Sequence, residues 1–93
     1  MRGVDPRIAA EGVQAVIGPR DAAYGHPGDN LGRIAGLWSA YLGQDVTAHD
    51  VALMLVLTKV SRLRNSSHRD GYVDIVGYAV CAEAVSDEGS QDV

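Results

Sequence analysis

No stretch of this 93-residue chain is apolar for long enough to cross a membrane, and its N-terminal region lacks the apolar core of a secretion signal. A cytoplasmic location is the expectation. Cysteine is nearly absent. Cys81 alone rules out an internal disulfide framework and a cysteine-rich zinc site, and its apolar neighbours mark it as a small buried hydrophobe. There is no continuous basic patch interleaved with aromatics, so no nucleic acid polymer is expected as a partner. No repeat or low-complexity block divides the chain, and its length allows one small domain burying roughly 60–65% of its unfolded surface.

The charge that is present is unevenly placed. Net charge is −4, but Asp87, Glu88 and Asp92 lie in a polar C-terminal stretch with the composition of a disordered tail. We expect a single domain over 1–86 and an acidic tail over 87–93. Seven of the eight cations are arginine, the side chain suited to bidentate phosphate contact.

Periodicity gives four helices and no sustained strand alternation. Asp5-Pro6 caps the first, with Ile8, Ala9, Val13, Val16 and Ile17 on one face and Gly18-Pro19 as its end. Glu11 reads as solvated. Residues 18–28 form a loop longer than usual that carries Arg20, Tyr24 and His26. The second helix runs from Asp29 or Asn30 to Leu42, with Leu31, Ile34, Ala35, Trp38, Tyr41 and Leu42 facing the core and Gly43 stopping it. Gly32 and Gly36 leave one side bare, at a cost of roughly 1 kcal/mol each, which suggests that a backbone or ligand approaches there.

Thr47-x-x-Asp50 is a capping box that opens the third helix. Val51–Leu57 then runs without a polar residue. A helix apolar on all sides must be covered on all sides, so a homo-oligomer with this helix near the interface is expected. Ser67-x-x-Asp70 reads as a second box, opening the fourth helix, with Val73, Val76, Val80 and Ala84 as its packing stripe.

Lys59–Tyr78 holds four of the eight basic residues. Lys59 and Arg62 close the third helix, while Asp70 and Asp74 lie one turn apart at the start of the fourth. Cations beside a helix N-terminus suit an anion. Asp74 is open to three roles: structural ion pair, ligand acceptor or metal ligand.

Six motifs carry a resemblance. Tyr24-Gly25-His26-Pro27, Asn30-x-x-Arg33, Leu37-Trp38-x-x-Tyr41-Leu42, Asp50-Val-Ala-Leu-Met54, Lys59-x-x-Arg62 and His68-Arg69-Asp70-x-Tyr72-x-Asp74-x-x-Gly77-Tyr78 resemble a family of small bacteriophage proteins, over about residues 20–82. That family is distantly similar to the all-α nucleotide pyrophosphohydrolases of the MazG type. The resemblance implies helical oligomers that bind nucleoside triphosphates over magnesium, using a Glu-Glu-x-x-Glu motif and a later Glu-x-x-Asp. Asp74 would match the final aspartate, with Asp70 at i−4 from it. The chain has no Glu-Glu-x-x-Glu, and Asn30 and Arg33 stand where acids would be wanted. Magnesium catalysis needs carboxylates to hold the ion and activate the nucleophile.

The expectation is therefore an all-α, four-helix domain that assembles as a homo-oligomer and sequesters a nucleotide-derived ligand, such as a cyclic ADP-ribose-type or cyclic dinucleotide immune signal, without cofactor or cleavage. Arg20, Arg33, Lys59, Arg62 and Arg69 would hold phosphate, with Asn30 beside Arg33. Tyr24 and Tyr72 would stack on a base, His26 and His68 would bond at the rim, and Asp70 and Asp74 would take ribose hydroxyls. A magnesium-dependent pyrophosphohydrolase using Asp70 and Asp74 is the first alternative. A protein-interaction module that inhibits a host protein is the second.

Overall fold

The computed structural model describes residues 3–17 and 27–89 of the chain. It contains four helices, α1 (Arg7–Ile17), α2 (Pro27–Leu42), α3 (Ala48–Asn65) and α4 (Arg69–Gly89), and no strand among the described residues. The all-α expectation holds. Of the expected loop, Pro27 and Gly28 belong to α2, and residues 18–26 lie outside the described residues. Helix α4 continues through Gly89, into the stretch expected to be a tail.

Local signals account for most of the boundaries. Asp5 Oδ1 accepts the Arg7 N–H at 3.0 Å, and Pro6 precedes the first helical residue. Gly43, at φ +68°, ends α2, where its N–H and that of Gln44 both donate to the Ser39 carbonyl. The box at α3 is complete: Thr47 Oγ1 accepts the Asp50 N–H and Asp50 Oδ2 accepts the Thr47 N–H, both at 3.0 Å. The second box does not form. Helix α4 begins at Arg69, one residue too late for Ser67 to cap it, and Gly71 N–H donates to the His68 carbonyl instead.

Helix α4 is the hub. It pairs with α3 along a helical hairpin, takes α1 across its other side, and touches α2, which lies mainly on α3. Leu31 and Ala35 of α2, Val51 and Ala52 of α3, and Cys81, Ala82 and Val85 of α4 form the buried core. The expected stripe on α4 is therefore corrected. Val73 and Val76 are half-buried, Val76 lying against Gly12 of α1, whereas Val80 and Ala84 are exposed. The core line is drawn instead through Cys81, Ala82 and Val85.

Glycine sets the α1–α4 approach. A Cβ on Gly12 would lie 2.4 Å from Val76 Cγ1 and 3.0 Å from the Val73 carbonyl oxygen, and one on Gly77 would lie 3.3 Å from the Gly12 carbonyl oxygen. Gly32 and Gly36 differ: nothing among the described residues comes within 4 Å of a Cβ there. The α2–α3 connection is tied by Ser39, whose Oγ accepts the Val46 N–H at 2.8 Å and donates to the Val46 carbonyl at 3.2 Å.

Much apolar surface stays uncovered. Tyr41, expected in the core, is 90% exposed, and Leu42 is also exposed. Both sit in the last turn of α2, and with Trp38 and Met54 they line a groove of about 460 Å³. Leu53, Met54 and Leu57 of the apolar run are exposed as well.

Candidate functional site

Helices α2 and α3 are joined by only five residues, and Trp38, Tyr41 and Leu42 line one groove with Met54. Leu31 and Ala35 of α2 are buried with Val51 and Ala52 of α3 and with Cys81, Ala82 and Val85 of α4. Lys59 and Arg62 lie one turn apart in the second half of α3. Asn30, in the first turn of α2, is half-buried, and Arg33, one turn on, is exposed.

From the other side comes α4. Lys59 Nζ lies 3.0 Å from Asp74 Oδ2, with side chains only 18% and 34% exposed. A short turn at 66–68 sets this register, and Gly71 allows it, since a Cβ there would meet Leu63 at 2.8 Å. Of the roles open to Asp74, the ion pair is the one observed.

Arg69 has a different place. Its guanidinium makes a two-pronged bond to the Glu11 carboxylate, Nη1 to Oε1 and Nη2 to Oε2, the latter at 2.6 Å, and lies 3.6 Å from Asp5 Oδ2. Five positions separate Arg69 from Asp74, so the two leave α4 roughly 140° apart. Arg69 thus faces α1 while Asp74 faces α3. Arg69 therefore stands apart from Lys59 and Arg62, and Glu11, exposed as expected, is also a partner in an ion network. The network shows in its acid chemistry. Hydrogen bonds from Arg7, first from its side chain and then from its backbone, pull Asp5 down to about 2, and Arg69 holds Glu11 below the usual range. Glu11 in turn raises Arg69.

His68 is half-buried, with Nδ1 2.9 Å from the Ser66 carbonyl oxygen, so one ring nitrogen is engaged by the turn. Asp70 and Tyr72 are exposed on the first turn of α4. Arg20, Tyr24 and His26 lie outside the described residues. Sequence reasoning missed Glu11 and Asp5 as the anchors of Arg69.

Asp74 is paired with an ammonium group, and among the described residues no three His, Cys, Asp or Glu side chains stand close enough to hold an ion by themselves.

Comparison with known proteins places the chain among bacteriophage relatives. It is 38% identical over 82 residues to the Gene 55 protein of Mycobacterium phage D29, covering 87% of this chain and 54% of that protein. It is 44% identical over 68 residues to the Gene 55 protein of Mycobacterium phage L5, covering 71% and 44%. The chain thus spans about half the length of the curated relatives it matches. No solved structure matches. With its residues 7–86 matched by the family model, the chain belongs to the family described as "Domain of unknown function (DUF6378)".

Proposed function

We propose that this chain binds a phosphate-bearing nucleotide at the second half of α3, beside Lys59 and Arg62, and holds it intact. One observation carries the reading: Lys59, mostly buried and 3.0 Å from Asp74, stands one turn from Arg62, an exposed guanidinium with no ion pair among the described residues. Lys59 is already partly desolvated, which strengthens its attraction to a phosphate. Arg62 and Arg33 are exposed and form no ion pair among the described residues. Asp74 keeps a second oxygen for a ribose hydroxyl, and Asp70 and Tyr72 flank the start of α4.

We favour holding over cleavage because Asp74 is paired with Lys59. A pyrophosphohydrolase of the MazG type would instead need carboxylates to hold magnesium and activate the nucleophile. Relatives encoded by phages suit the finer reading, in which the ligand is a host nucleotide signal such as a cyclic dinucleotide or a cyclic ADP-ribose variant. The working unit would be a homo-oligomer in the host cytoplasm.

A thermal-shift panel of nucleotides, with and without magnesium, tests this. A ligand at 100 times its dissociation constant adds roughly 2.7 kcal/mol. Chromatography of the ligand recovered after heat denaturation should return it unchanged. Release of pyrophosphate, abolished by Asp74→Asn, would establish the hydrolase instead.

A further inference from the structure

A stripe on α3 is left over by the fold and by the nucleotide reading. Asp50, Leu53, Leu57, Val60 and Arg64 follow one another at spacings of three, four, three and four residues. That is a two-heptad seam, which keeps its residues on one side of a helix for roughly 21 Å. All five are exposed, Leu57 at 64%. The side of α3 turned to α2 and α4 is a different one, where Val51 and Ala52 are buried and Leu55, Lys59 and Leu63 half-buried.

The ends of the stripe say what covers it. Asp50 and Arg64 lie seven residues either side of Leu57, carry opposite charges, and Arg64 has no ion pair among the described residues. Asp50 bonds the Thr47 N–H through Oδ2, and a carboxylate has acceptor sites to spare.

We propose that α3 pairs antiparallel with α3 of a second copy of this chain, with Leu57 near the two-fold axis and Asp50 of each copy against Arg64 of the other. A two-fold contact must be complementary to itself, and an apolar centre with one acid and one base at equal distances meets that demand. A parallel pairing would set Arg64 beside Arg64. The exposed Met54 and the groove at Trp38 and Tyr41 adjoin the seam and extend the surface that the copies cover.

Sedimentation equilibrium of the full chain, with circular dichroism to confirm helicity, tests the proposal. The wild type should be a dimer or an even-numbered assembly at micromolar concentration. Asp50→Lys gives two basic ends and Arg64→Asp two acidic ends, so each alone should associate roughly tenfold or more weakly. Mixed in equal amounts, they should regain dimers, each containing one of each variant. Because Asp50→Lys also weakens the α3 cap, Leu57→Lys serves as a second disruption that leaves the cap untouched and should give a folded monomer. A monomeric wild type overturns the proposal and assigns the stripe to another protein or to a further segment. So does a dimer that Leu57→Lys leaves intact, or one that the mixture of variants fails to restore.

Discussion

Replacing Gly12 and Gly36 by alanine should move stability in opposite directions. Each sits inside a helix, where alanine is intrinsically favoured by roughly 0.8–1 kcal/mol. At Gly36 nothing among the described residues lies within 4 Å of the new methyl group, so that gain should appear nearly whole. At Gly12 the methyl would sit 2.4 Å from Val76 Cγ1, 2.6 Å from Val76 Cβ and 3.0 Å from the Val73 carbonyl oxygen. A flexible side-chain tip can swing away; a Cβ and a carbonyl cannot move without their helix. Overpacking of this kind costs ~1–3 kcal/mol. Set against the propensity gain of roughly 0.8–1 kcal/mol, Gly12→Ala should destabilise by up to about 2 kcal/mol. For a domain of this size that lowers the midpoint by roughly 4–8 °C per kcal/mol, while Gly36→Ala raises it by a few degrees. Thermal unfolding followed at 222 nm in parallel, with urea titrations for the free energies, reads both. If Gly12→Ala stabilises as Gly36→Ala does, the close α1–α4 approach is wrong. If Gly36→Ala destabilises, a neighbour outside the described residues covers α2.

Further outcomes follow from the ion pairs and caps. Asp5 and Glu11 are held below their ordinary values, so their contribution is whole near neutrality. It is lost as pH falls through the folded values, for Asp5 between its ordinary 3.8 and about 2. Urea midpoints should therefore fall steeply in that acid window, and Asp5→Asn with Glu11→Gln should flatten the dependence. Lys59→Ala leaves a half-buried carboxylate without its partner and should cost about 1–2 kcal/mol, whereas Lys59→Met with Asp74→Leu should come out near neutral. Equal losses in the single and double variants would contradict that account. Thr47→Ala removes the oxygen that caps Asp50 N–H and should lower stability by ~1 kcal/mol in the same denaturation assay.

Sequence carried the local rules well and the long-range ones poorly. Helix count, the Thr47 box, the Gly43 stop and the meeting of Lys59 with Asp74 were all readable, because each depends on spacing within one helix or across one tight turn. Failures came where the partner was distant. Arg69 was read with its chain neighbours as a phosphate ligand, yet its partner is Glu11, 58 positions away. Tyr41 fits the apolar period of α2, but that period fixes a direction and not how far the covering helix extends. Val80 and Ala84 share a face with Val76, and only the crossing of α1 at Gly12 and Gly77 decides where along α4 that face is covered. Ser67 matched a box by spacing, while the helix began one residue later.

Calorimetric titration of nucleotides into the wild type and into Arg62→Ala tests the central claim most directly. The account predicts saturable binding to the wild type and a loss of ~1.5–3 kcal/mol in the variant, as for a hydrogen bond to a charged group. It also predicts that the variant's helix content and melting point stay at wild-type values, because Arg62 is exposed and bonds to nothing else among the described residues through its side chain. No heat with any nucleotide, or identical affinity in the two proteins, would contradict it.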